Sequence, residues 1–149
     1  MAHFNPKKRH RTRCFAVQAL YQWQLTDNDI DEILLRFLGE MNAKKNDTEY
    51  FRQLLRSISS MRDDLDTLFT PHLDRPIAEL GPVELAILRL STYEMSACPE
   101  LPYRVVINEA VELAKTFAAA EAYKYINAVM DKVALQLRHP EVKLANQHG

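Results

Sequence analysis

Glycine is scarce in this sequence: 149 residues contain Gly39, Gly81 and Gly149 and no others. That poverty excludes a glycine-rich loop of the kind that cradles phosphates. The β-branched alternation that marks strands is lacking as well. No run approaches the ~18 uninterrupted apolar residues of a membrane-spanning helix, and the amino end lacks the apolar stretch and small-residue cleavage site of a signal peptide. A cytoplasmic protein without membrane contact is therefore expected. Cysteine is limited to Cys14 and Cys98, far apart and outside any CxxC pair, so both are read as packing residues rather than a disulfide. GxSxG and HExxH are missing, and His3, His10, His72, His139 and His148 stand singly, as surface residues do. Glu109 and Glu112, beside Lys115, read as a solvated helix face rather than a hydrolytic pair. No metal or cofactor is implied.

What is present suits one compact domain: 47% of residues are hydrophobic and 26% charged. The formal charge of -1 conceals a division, because residues 1–13 carry Lys7, Lys8, Arg9, Arg11 and Arg13 and no acid, leaving 14 cations against 20 acids elsewhere. A basic head on an acidic body suits attraction of one polyanion at one place. The alternative reading of residues 1–13 is a solvating tail.

Helical spacing runs through the rest. Ala16, Ala19, Leu20 and Trp23 fall at i, i+3, i+4 and i+7. Asp29 with Glu32 forms a capping pattern ahead of Ile30, Ile33, Leu34, Phe37 and Leu38, and Gly39 is placed to end that helix. "EMNAKKND" reads as a loop. Phe51, Leu54, Leu55 and Ile58 stripe the next helix, which continues through Leu65 and Phe69 with a break near Ser59–Ser60 and a stop at Pro71. In "ELGPVELAILRLSTYEM", Gly81 is a hinge and Pro82 a first helical residue, and apolar groups wrap most of the way round, predicting a central helix. Two further helices follow, striped by Ile107, Ala110, Val111 and Ala114 and by Ile126, Val129, Met130, Val133 and Leu137; the end after Pro140 reads as a polar tail. The expectation is an all-α fold of six or seven helices, with Trp23 and Leu90 at its centre.

"AEAYKYINAVMDKVA" carries a second functional signal. Tyr123, Lys124, Tyr125 and Asn127 put two rings, a cation and an amide at the start of a helix whose remainder is apolar. Unpaired bases stack on aromatic rings, phosphates take a cation, and an amide reads a base edge. The bland alternative is that Tyr125 and Asn127 pack and cap locally.

"AVQALYQWQL", "ELGPVELAILRLSTYEM", "LPYRVVINEAVELAKTF" and "KYINAVMDK", in this order and spacing, resemble the NusB transcription antitermination factor family over about residues 9–138. The resemblance implies an all-helical domain of two packed three-helix bundles without catalytic activity. It implies binding of the boxA element of ribosomal and phage leader RNA together with NusE, a small-subunit ribosomal protein. The complex joins other Nus factors on RNA polymerase, suppresses termination and so supports processive transcription of ribosomal RNA operons. On this basis residues 1–13 are the basic RNA-binding head, 14–138 the helical domain and 139–149 the tail. The RNA-binding residues carried over are Lys8, Arg9, Arg11 and Arg13 with Lys7 as an extra cation, then Tyr21, and then Glu121, Lys124, Tyr125 and Asn127; Asp131 stands in the family's "LD" position. The NusE surface is expected around "ELGPVELAILRLSTYEM".

The chain departs from the family pattern at Ala118 and Ala128, where glycine is usual. Keeping left-handed backbone angles at Ala118 costs roughly 1–2 kcal/mol, so the turn there is expected to differ. Two other classes compete. A protein-only helical interaction module is one. A detached RNA-binding domain related to ribosomal RNA cytosine methyltransferases is the other; its enzymatic partner is not here, since 149 residues leave no room for a nucleotide-binding α/β domain.

Overall fold

The computed structural model describes residues 5–26 and 28–148; residues 1–4, among them His3, lie outside it, as do Asp27 and Gly149. Among the described residues there are eight α-helices, two short 3-10 turns and no strand. The all-α class holds, with one helix more than the upper expectation.

Chain contacts divide the protein into two compact units, residues 1–61 and 62–149. The first is a three-helix unit of α1 (Pro6–Leu25), α2 (Ile30–Glu40) and α3 (Thr48–Ser60), each packed on the other two. Phe37 is its aromatic centre, edge-on to Phe15 at 6.4 Å and tilted against Phe51 at 6.1 Å. Asp29 caps α2, accepting from the Asp31 amide at 3.1 Å. Gly39 does not end that helix: α2 continues through Glu40, and no glycine among the described residues takes positive φ.

The second unit is larger than a three-helix bundle. It contains α4 (Arg62–Phe69), α5 (Pro82–Ala97), α6 (Tyr103–Phe117), α7 (Ala122–Leu137) and α8 (His139–His148), with 3-10 turns at Thr70–His72 and Ile77–Glu79. The break at Met61, one residue past the serine pair, separates α4 from α3. Residues 139–148 are helical because Pro140 lies in the first turn, where its missing N–H is not needed, and Val142 is buried. As expected, α5 is central: Gly81 and Pro82 open it, and every residue from Ala86 to Met95 is buried.

Two buried charges organise this unit. Arg89 on α5 forms a two-pronged ion pair with Asp66 on α4, Nε to Oδ1 at 2.9 Å and Nη2 to Oδ2 at 2.8 Å. Arg138, at the end of α7, donates to the carbonyls of Met95 (2.8 Å), Leu101 (3.0 Å) and Cys98 (3.0 Å), which satisfies acceptors left over where α5 ends. Its Nη1 also reaches Glu141 at 2.9 Å, and Glu141 accepts the Tyr103 amide at the start of α6 at 2.8 Å. One Arg–Glu pair thus ties together the ends of four helices.

The turn before α7 does not use left-handed angles at position 118. Ala118 is extended (φ -95°, ψ 171°), and the left-handed residue is Glu121 (φ 73°, ψ -9°). A non-glycine residue held there carries strain of order 1–3 kcal/mol.

Leu90 is fully buried, whereas Trp23 is only half-buried and is not a central residue. Leu90→Ala should therefore cost about 2–5 kcal/mol, seen as a lower urea midpoint with an unchanged m-value. A pH dependence follows from Glu141. Partial burial pushes its carboxyl up, but the Tyr103 amide and the Arg138 guanidinium outweigh this and hold it below its ordinary value of 4.5. A depressed folded-state value gives stability that is present above the unfolded value and lost as pH falls through the folded one. Glu141→Gln should be less stable than the wild type at pH 7, and the gap in urea midpoint should close on acidification through the carboxylate range. A gap that stays constant to pH 3 would contradict it.

Candidate nucleic-acid interface

The basic head is not set apart from the fold: Lys7 to Arg13 make the first two turns of α1, opened by Pro6 and capped by Asn5, which accepts from the Lys8 amide at 3.1 Å. Helical geometry then sorts its cations by face. Thr12, Arg13 and Ala16 point inward and are buried, Arg13 at 1% exposure. The Thr12 hydroxyl accepts the Asp47 amide at 2.8 Å. Arg9 pairs with Asp47, Nε to Oδ2 at 3.0 Å, and its guanidinium lies 3.7 Å from the Tyr50 ring centroid, with Arg13 on the same ring at 5.7 Å. Arg9, Asp47 and Tyr50 also line an open cleft of about 570 Å³.

Lys7 and Arg11 are exposed, and Lys8 is half-buried. Positions 7, 11, 14, 18 and 21 recur at alternating steps of four and three, so Lys7, Arg11 and Tyr21 share one face of α1. At 1.5 Å per residue that face runs roughly 21 Å from the first cation to the tyrosine. Three cations in the first turn oppose the helix dipole, which favours anions there by about 0.3–1 kcal/mol each.

The α7 candidates divide between two flanks. Lys124 pairs with Glu121, and Asn127 and Asp131, three and seven residues on, lie on the side facing α6. Asn127 donates to Asp131 at 3.1 Å, and both line an open cleft of about 350 Å³ with Arg104 and Asn108; burial pushes the Asp131 carboxyl up. Tyr125 points the other way, its ring beneath the Arg75 guanidinium, 4.8 Å from centroid to carbon. Tyr123 is flanked by Lys115 at 4.9 Å and Lys124 at 6.0 Å. The structure thus brings Lys7, Arg11 and Tyr21 together on α1, with Arg13 on another face of that helix, and Lys124 with Asn127 on α7, with Tyr125 on another face of that one.

Asp47, Tyr50 and Arg75 are neighbours that residue patterns did not single out. Asp47 had a readable signal, since an aspartate directly before "TEYFRQLL" is a helix cap, and it does accept the Tyr50 amide at 3.0 Å. Its pairing with Arg9, 38 residues away, had none. Among the described residues no cluster of three or more His, Cys, Asp or Glu could hold a metal, and no helix is long and apolar enough to cross a membrane.

Residues 10–135 match the NusB family. A transcription antitermination protein NusB of Baumannia cicadellinicola subsp. Homalodisca coagulata is 52% identical over 130 residues, 87% of this chain and 94% of that protein. The protein of the same name from Yersinia enterocolitica is 50% identical over 133 residues, 89% of this chain and 96% of its own. The solved structure of T. maritima NusB superposes with a TM-score of 0.75 at 30% identity, covering 85% of this chain and 89% of that one. With the family match spanning most of the chain and the helical fold shared, the chain belongs to the NusB family.

Proposed function

We propose that this protein is a noncatalytic transcription antitermination factor that binds boxA-type single-stranded RNA together with the NusE ribosomal protein, supporting processive transcription of ribosomal RNA operons. The observation that carries this reading is the exposed face of α1, on which Lys7 and Arg11 precede Tyr21 with Lys8 alongside. Cations on one helix face hold phosphates, and a ring further along it accepts a base. Membership of the NusB family and the antitermination names of its relatives support the biological setting. On α7, Lys124 and Asn127 offer a second polar contact.

Arg9 and Arg13 take different parts in this proposal. Arg13 is buried and holds α1 to its neighbours, while Arg9 reaches RNA only by leaving Asp47. On this reading the NusE surface draws on the ends of that segment, around Val83–Leu85 and Ser96, and on adjoining helices, since Ala86 to Met95 are buried. Other Nus factors and RNA polymerase are then reached through the assembled complex.

A salt titration on one boxA-like oligonucleotide tests the reading. If Lys7, Lys8 and Arg11 neutralise three phosphates of a single strand, log affinity should fall against log salt with a slope of about -2, at roughly -0.7 per phosphate. Glutamine at those three positions should flatten the slope and leave both NusE binding and the urea midpoint near wild type. Arg13→Gln should instead lower the midpoint. A slope unmoved by the triple substitution would reduce the head to a solvated helix end and leave the protein-only module as the better account. NusE should tighten RNA binding, and RNA should tighten NusE binding by the same factor.

A further inference from the structure

Tyr125 cannot receive a base freely on the face that Arg75 covers. The guanidinium lies 4.8 Å from the ring centroid, and it is held at its edge by Asp74, Nε to Oδ1 at 2.8 Å. Its backbone is restrained too, since the residue before a proline is confined to extended angles and Pro76 follows. The segment sits between the two 3-10 turns, and the first of these is fastened to α7 by His72, 2.6 Å from Gln136. The tyrosine hydroxyl is shielded from solvent beside Asp74; burial, then the neighbouring Asp74 charge, pushes it up. What faces outward is therefore the arginine, whose side chain is 45% exposed.

We propose that Arg75 is an RNA-contacting residue, its guanidinium the surface on which one nucleobase stacks, with Tyr125 the floor that holds it flat. The inference rests on the RNA-binding reading above. Charge decides between base and phosphate as the ligand. Asp74 already neutralises Arg75, and Glu79 adds a second negative influence, so a phosphate meets an unwelcoming field. A base is uncharged and presents a π-face, which stacks on a guanidinium plane as on an aromatic ring. Tyr125 and Arg75, with Asp74 at the guanidinium edge, thereby form two layers of a stack whose outer layer is completed by RNA.

The test is a binding series by fluorescence anisotropy, using wild type, Arg75→Ala, Arg75→Lys, Tyr125→Ala and the double alanine variant with a boxA-like single-stranded RNA across a range of salt. Arg75→Ala should lose about 5- to 150-fold in affinity, the range of one lost base stack, with the salt slope unchanged. Arg75→Lys should lose nearly as much, since lysine keeps the charge and lacks the plane. Tyr125→Ala should resemble Arg75→Ala, and the double alanine variant should be little worse than either single one. Wild-type affinity in Arg75→Lys, or a slope lowered by about 0.7 in Arg75→Ala, would make Arg75 a phosphate contact and overturn the stacking proposal alone. Unchanged affinity in both arginine variants would likewise overturn it. A wild type that fails to bind the RNA at any salt would overturn the RNA-binding reading and this proposal with it.

Discussion

Asp47 commits its amide and both carboxylate oxygens to three different partners. The N–H goes to the Thr12 hydroxyl at 2.8 Å, Oδ1 caps α3 by accepting from Tyr50 at 3.0 Å, and Oδ2 holds Arg9 at 3.0 Å. Together these fix the rotation of α1 about its own axis, because Arg9, Thr12 and Arg13 lie on one face at helical spacing. Once that face is turned inward, Lys7 and Arg11 must face out, and Tyr21 with them. The sorting of a run of cations into structural and accessible members is thus a consequence of one helix cap. Ion pairs of half-exposed groups are worth little by themselves, about 0–1 kcal/mol, so it is the joint use of cap, hydroxyl and ring that makes the arrangement persistent.

The second unit applies the same device in a drier setting. Arg138 sits at 9% exposure among four helix ends, and its carbonyl partners offset the cost of removing a guanidinium from water. Arg89 and Asp66 lock α4 to α5 in the same way. These contacts give α7 a fixed base, and a fixed base is what a stacking surface at its amino end requires, since a base gains little from a platform that must first be ordered.

Helices were legible in the sequence because apolar residues recur at their spacing almost everywhere, and the proline and glycine positions marked the opening of α5 correctly. The misreadings have physical causes. Gly39 resembled a stop signal, yet glycine does not enforce left-handed angles and here stays in the helix. Pro140 resembled a terminator, yet two residues into a helix it is harmless. The basic run was visible at once, but which of its members face outward depends on Asp47, a contact across 38 residues that no local pattern encodes. Tyr125 and Asn127 are two residues apart, which on a helix means nearly opposite sides, a separation that composition does not reveal and helical geometry does.

Geometry also bears on why such a protein would work with a partner. On the proposed reading, α1 offers three accessible cations, two of which, Lys7 and Lys8, lie in the first turn against its own helix dipole, and a phosphate there relieves both their mutual repulsion and their conflict with the dipole. Yet three phosphates and a stacked base or two yield modest affinity, and the body of the chain is acidic, so long-range attraction adds little. Weak, salt-sensitive contacts of this kind hold a strand only when a second protein extends the surface. On the proposed reading, restraint in the charge count would keep RNA binding conditional on that partner: a fully basic α1 would hold any single strand it met, whereas one with Arg13 buried and Arg9 tied to Asp47 needs more than charge to hold a target.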